Sequence, residues 1–260
     1  MHQPLAYVHP QAKIAQNVVI EPFVTIHKDV VIEEGTWIGP HATIMEGARI
    51  GKNCKIFPGA VISAVPQDLK FQGEYSTVEI GNNVVIREYS TINRGTVYSD
   101  KTRIGDNTLL MAYTHVAHDC VIGKNCILAN NATLGGHIEV GDYAILGGMT
   151  AVHQFCKIGK HAFLAGGSLV NKDIPPFVKA ARYPASYVGI NSVGLRRRGY
   201  SAEQINRILE IYRILFIRGY NTTQAIRIIE TELPVDNERD EIVQFVTNSN
   251  RGIMRGYKSQ

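Results

Sequence analysis

The residues of this chain best suited to chemistry are three histidines, His118, His137 and His153. Histidine titrates near neutral pH, so it can serve as a general base, and its neutral ring is a common metal ligand. Their separation along the chain says little alone, but the repeat around them gives it meaning. His118, Gly136 and Gln154 are equally spaced at n, n+18 and n+36. So are Ala117, Gly135 and His153, and also Asp119, His137 and Phe155. In a chain that returns on itself with that period these are three neighbouring columns. The three imidazoles then converge on one corner across three consecutive coils. Such a corner fits a general base, an imidazole-bound zinc ion, or a non-catalytic binding surface on a scaffold. The bland alternative is a polar corner facing water, for His9, His27, His41 and His161 also fall at turn positions.

The element that must position them is a six-residue repeat. From Leu110 to Val152 an aliphatic residue returns at every sixth place, neither the 3.6 of a helix nor the 2 of a strand. Between Val8 and Val170, 25 of 28 sixth-place positions hold Val, Ile or Leu, so the register spans most of the chain. Hexapeptide periods mark a parallel β-helix. Three six-residue faces make a coil of 18 residues, residues n and n+18 stack about 4.8 Å apart, and the stretch gives about nine coils. The exceptions, Asp68, Glu74 and Tyr98, predict two excursions near 63–79 and 93–103, where binding groups tend to lie. Cys54, Cys120, Cys126 and Cys156 all occur four places after a repeat aliphatic, in a slot where small residues such as Ala42, Ala60, Thr108, Ala132 and Thr150 recur. They read as small core fillers rather than zinc ligands or disulfides.

The repeat gives way at Asp173-Ile174-Pro175-Pro176, since proline cannot donate to a ladder. Beyond it, Ser201-Ala202-Glu203-Gln204 is a capping-box signature. Ile205, Ile208, Leu209, Tyr212, Leu215 and Phe216 follow at helical spacing, with Gly219 as a stop. Two more helices are expected near 223–232 and 237–248. The organisation predicted is a repeat domain over 1–176 and a small helical domain over 177–260. A net charge of +4 argues against a dedicated nucleic-acid binder. No apolar run approaches the roughly 20 residues of a membrane span. The first ten residues lack a signal-peptide pattern, so a cytoplasmic protein is expected. Neither the dinucleotide fingerprint nor the Walker pattern occurs.

Specific motifs narrow the reading. His115-Val116-Ala117-His118-Asp119-Cys120, Ile127-Leu128-Ala129-Asn130-Asn131-Ala132-Thr133 and Gly147-Gly148-Met149-Thr150-Ala151-Val152-His153-Gln154-Phe155 resemble the acyl-ACP–UDP-N-acetylglucosamine O-acyltransferases of lipid A biosynthesis. So do Gln67-Asp68-Leu69-Lys70, Asn93-Arg94-Gly95-Thr96, Pro175-Pro176, Gly189-Ile190-Asn191 and Arg197-Arg198-Gly199, and the likeness covers essentially the whole chain.

The resemblance implies a left-handed coil, an exception to the right-handed rule for β crossovers. It implies transfer of a 3-hydroxyacyl group from acyl carrier protein to the glucosamine 3-hydroxyl of UDP-N-acetylglucosamine. No cofactor, metal or acyl-enzyme is expected. By the same resemblance His118 is the general base, Gly136 offers its N–H to the oxyanion, and Asp119 orients His118. Asp68, Lys70, His115, His137, His153, Gln154, Asn191, Arg197 and Arg198 line the substrate site. Gly166 matches the position that limits acyl length, and a glycine there leaves room for a long chain. Asn93 departs from the usual histidine and cannot carry its charge. The family is trimeric, with sites between subunits. The alternatives are the related N-acyltransferase, which carries an extra N-terminal domain, a zinc-dependent β-helical carbonic anhydrase, and a scaffold solenoid without activity.

Overall fold

Strands of two to four residues recur from Tyr7–Val8 to Leu169–Val170. The computed structural model describes residues 5–256, so the start of the expected segment 1–176 and the end of 177–260 lie outside the described residues. Strands this short exist only through their neighbours. They stack into three parallel sheets of nine, eight and eleven strands, the last extended by the C-terminal region. The architecture is a left-handed parallel β-helix followed by helices.

The sixth-place aliphatics from Ile20 to Val170 are each at most 4 % exposed and form the interior ladders. Burying each contributes roughly 1.5–3 kcal/mol, set against the entropy of ordering its coil. The second inward slot is the small one, where Cys54, Cys120, Cys126 and Cys156 are fully buried free thiols among alanines. Burial pushes the Cys120 and Cys126 thiols up to about 12, so they are inert fillers.

Between strands the chain turns a tight corner. The residue three places after the repeat aliphatic adopts a left-handed backbone at Asn107, Asp119, Asn125, Asn131, His137, Tyr143, Phe155 and His161, with φ between 56° and 64°. Asparagine and aspartate tolerate this region, whereas His, Tyr and Phe there cost on the order of 1–2 kcal/mol. That cost falls on the corners described below.

The pairing departs from n+18 at the two excursions. Arg49 pairs with Glu79, at n+30, and Glu79 with Arg103, at n+24. The excess is two hexapeptides at the first excursion and one at the second. Asp68, Glu74 and Tyr98 therefore occupy sixth-place positions yet lie outside the ladder, half-buried or exposed, and every later aliphatic still points inward.

Past Pro175-Pro176 the sheet resumes, because the residues after the prolines have free N–H groups, and it gains three strands, the last being Arg255–Gly256. Val178–Ala181 pairs parallel with Phe163–Leu164 and antiparallel with Ser186–Ile190. Four helices follow: α1 (Ser192–Arg197), α2 (Ala202–Phe216), α3 (Thr222–Glu232) and α4 (Asn237–Thr247). Ser201 and Gln204 form the expected capping box on α2. The buried Tyr212 hydroxyl donates to the Pro176 carbonyl at 2.5 Å, anchoring α2 to the last coil. Ser249 Oγ donates to the buried Asp173 carboxylate at 2.6 Å, so the segment after α4 also returns there.

Candidate active site

His118 and Asp119 share one corner. On a straight strand their side chains would point to opposite faces. The left-handed backbone of Asp119, φ 58°, turns them together, and His118 Nδ1 lies 2.8 Å from Asp119 Oδ2. Both residues are buried. The Asp119 carboxylate also accepts from the Thr96 N–H at 3.0 Å, Thr96 Oγ1 at 2.6 Å and Ser99 Oγ at 2.6 Å. Burial alone would raise its pKa. The Ser99, Thr96 and His118 hydrogen bonds outweigh that and hold it down to about 2. The carboxylate is therefore ionised across the ordinary pH range, and its bond fixes the proton of His118 on Nδ1, leaving Nε2 free to accept.

One coil on, Gly136 lies flat against that imidazole. A Cβ there would come within 2.5 Å of His118 Cε1 and 2.7 Å of Nε2, so only glycine leaves the ring in place. His137 follows, its ring 4.8 Å from that of His118 and its Nδ1 3.7 Å from Asp119 Oδ2. Phe155 stacks on His137 at 4.2 Å and Tyr98 meets it edge-on at 4.5 Å. Burial lowers the His137 pKa, partly countered by Asp119.

The excursions complete the wall. Asp68 and Lys70 from the first, and Thr96 to Tyr98 from the second, line a cavity of about 240 Å³ with His137 and Phe155. Glu74 joins the two excursions by accepting the Val97 N–H at 3.2 Å. A wider groove of about 680 Å³ runs from Tyr98, Asp119 and His137 along one sheet to Glu241 and Phe245 of α4.

His118, Asp119 and His137 offer ligand atoms within 4.8 Å of one another, a donor set that suits a divalent ion. The hydrogen bonding describes something else: Asp119 is saturated by four donors, one of them His118 itself, as in an imidazole oriented by a carboxylate. The third histidine does not join them. His153 is exposed, with Nδ1 against the Gln154 carbonyl at 3.1 Å, and Gln154 is exposed beside it.

Comparison with known proteins gives the family. The family described as UDP N-acetylglucosamine O-acyltransferase, domain 2, matches residues 173–254, and the bacterial transferase hexapeptide matches 29–64 and 101–136. The acyl-[acyl-carrier-protein]–UDP-N-acetylglucosamine O-acyltransferase of Thiobacillus denitrificans is 46% identical over 253 residues, covering 97% of this chain and 98% of the relative. That of Alkalilimnicola ehrlichii is 48% identical over 256 residues, with the same coverage. The crystal structure of a UDP-N-acetylglucosamine acyltransferase from Bacteroides fragilis superposes with a TM-score of 0.97 at 50% identity, covering 98% of this chain and all of the other. The chain belongs to the acyl-[acyl-carrier-protein]–UDP-N-acetylglucosamine O-acyltransferase family.

The remaining positions singled out by resemblance to the O-acyltransferase family fall in several places. His115 is half-buried on the strand before the corner, with Nδ1 2.8 Å from Thr91 Oγ1; burial and then His118 lower its pKa. Asn93 is buried, donating to the Val65 carbonyl at 3.1 Å, and its Oδ1 has no partner among the described residues. Gly166 is exposed beside Gly148, so this strip carries no side chain. Asn191, Arg197 and Arg198 belong to α1 and its ends, outside the His118 cluster. Asn191 is buried and committed within the fold: it caps α1 by accepting the Gly194 N–H, and donates to the His161 carbonyl at 2.9 Å. Arg198 lies over Tyr143, which stacks on His161, while Arg197 is exposed. Thr96 and Phe155 appeared in the sequence only within motifs and columns, Tyr98 only as a break in the register, and Ser99 was not singled out. The available signal was two hydroxyl residues flanking Tyr98, the break in the aliphatic register.

Proposed function

We propose that this O-acyltransferase moves a 3-hydroxyacyl group from the thioester of acyl carrier protein to the glucosamine 3-hydroxyl of UDP-N-acetylglucosamine, the first step of lipid A biosynthesis. The observation that carries the mechanism is the buried His118–Asp119 hydrogen bond with the Gly136 backbone laid against the imidazole. His118 Nε2 takes the proton of the sugar hydroxyl. The oxygen bonds to the thioester carbonyl carbon, and the Gly136 N–H donates to the resulting oxyanion. Collapse breaks the carbon–sulfur bond, and the departing thiolate recovers the proton from His118. A positioned base supplies roughly 10²–10⁴-fold in rate, and an oxyanion donor a comparable share. No acyl-enzyme is needed, in keeping with four buried cysteines.

Asp68 and Lys70, beside His137, bind the sugar and phosphate region, and the resemblance adds His115, His153 and Gln154 as further contacts of the substrate. Arg197 and Arg198 meet the phosphate end. The bare strip at Gly166 accepts a long acyl chain. No helix among the described residues is long and apolar enough to cross a membrane. The setting we propose is the cytoplasm, as a homotrimer whose sites lie between subunits. Mass spectrometry of reactions between acyl carrier protein thioesters and the sugar nucleotide tests the reading. His118→Ala should lose at least about 10²-fold in kcat with its oligomer unchanged. A variant that keeps most of its activity overturns the base assignment.

A further inference from the structure

We propose that Thr96 and Ser99, carried in by the second excursion, are positioning residues for catalysis: their hydroxyls clamp the Asp119 carboxylate so that Oδ2 faces His118 Nδ1. The inference rests on the general-base reading above. Asp119 sits on a strained left-handed corner, and the grip on its side chain comes from outside the coil, since three of its four hydrogen bonds start from Thr96 and Ser99. Thr96 Oγ1 and His118 Nδ1 share Oδ2, at 2.6 and 2.8 Å, so the hydroxyl fixes where the imidazole must point. Ser99 Oγ holds Oδ1 and prevents the carboxylate from turning about its axis. Glu74 in turn holds the Val97 N–H, which braces the clamp against the first excursion, where Asp68 and Lys70 lie. The break in the hexapeptide register at Tyr98 thus has a purpose. It delivers hydroxyl donors to a carboxylate that the regular coil leaves without them.

The charged or titratable groups facing Asp119 are His118 on its own corner, His137 on the next coil at 3.7 Å, the Cys120 thiol beneath it and Glu74 across the excursions. The clamp supplies most of what offsets the burial that would otherwise favour the protonated acid. Without it Asp119 picks up a proton in the acidic assay range, and the imidazole loses its anchor when it does.

The test uses the full-length protein, once the unaltered chain transfers acyl groups and His118→Ala does not. Failure of either control sinks the base reading itself and is distinct from a failure of the clamp. Thr96→Val and Ser99→Ala are each expected to lower kcat roughly tenfold, a part of the ~10²–10⁴-fold that a positioned base supplies. KM for the sugar nucleotide should stay within about twofold, as expected when the loss is confined to the transition state. The acid limb of log kcat against pH should steepen, as protonation of the unclamped Asp119 adds to the loss of rate. Ser99→Thr and Thr96→Ser, which keep the hydroxyls, should restore the rate and the slope. Variants that fold, by circular dichroism, and keep the parental kcat and acid limb overturn the proposal. If Thr96→Val does not fold, Ser99→Ala alone decides, because the Thr96 contacts remain. A loss that Ser99→Thr does not restore also counts against it.

Discussion

Asp119 and Gly136 set the chemistry through opposite demands on the backbone. Asp119 is an ordinary residue in a left-handed conformation; Gly136 is a glycine whose φ lies outside that region. The requirement at Gly136 is thus space for the imidazole, not backbone freedom. Gly136→Ala should leave the protein folded, at a cost of about 1–3 kcal/mol for displacing the buried ring, yet cost about 10²-fold in kcat, since an ångström of displacement in a catalytic group is worth that much. Intact activity in the alanine variant would exclude the close approach. A second residue reports on stability. Burial, then the charges of Arg198 and Lys160, push the His161 imidazole down to about 4. The unfolded chain takes up a proton below about 6.5 that the folded one refuses. The contribution of His161 is therefore complete above pH 6.5 and lost as pH falls toward 4. By linkage the loss reaches roughly 2 kcal/mol at pH 5. Denaturant melts at pH 7 and 5 should show that difference in the parent and a smaller one in His161→Phe. The corner of His118, Asp119 and His137 was legible in the sequence because 18-residue arithmetic places columns side by side. The outward place of His153 was not, because arithmetic fixes the column of a residue and not the direction of its side chain.

The strands and excursions obey a different logic, in which identity matters less than count. A six-residue aliphatic period survived both excursions because each is a whole number of hexapeptides. That is why the ladder could be read through to Val170, while pairing across the excursions, n+30 and n+24, could not be told from n+18. The ladder's energetics predict a sharp contrast between neighbours. Ile122 is 2 % exposed and Val121 41 %. Ile122→Asp buries an unpaired carboxylate and should cost several kcal/mol, enough to prevent folding. Val121→Asp should change stability by about 0.5 kcal/mol or less. Equal effects by circular dichroism would refute the inward register. Among the helices, α2 announced itself by its capping box and spacing, and α3 and α4 were expected near 223–232 and 237–248. The six-residue α1 and the closing strands near 178–190 did not, being too short for periodicity to register.

At the scale of the molecule, charge is unevenly shared. Residues 177–260 hold 13 Lys and Arg against 8 Asp and Glu. A helical end with such an excess would attract an acidic carrier protein over several ångströms, and salt would weaken the attraction. KM for acyl carrier protein substrate should rise several-fold between about 50 and 300 mM salt. A short acyl-pantetheine donor lacks that protein surface and should show no such rise. A flat response for both donors would remove the helical end from docking.

The whole-hexapeptide size of the excursions has one more consequence. Up to twelve residues at the first detour, or six at the second, can be added or removed in whole hexapeptides and every downstream side chain keeps its bearing, so the reaction chamber can be resized without rewriting the column that supports it. Because the detours lie outside the ladder, a change of one to five residues there would alter the count by which the ladder is read along the sequence, while pairing still fixes each isoleucine, valine and leucine beyond it.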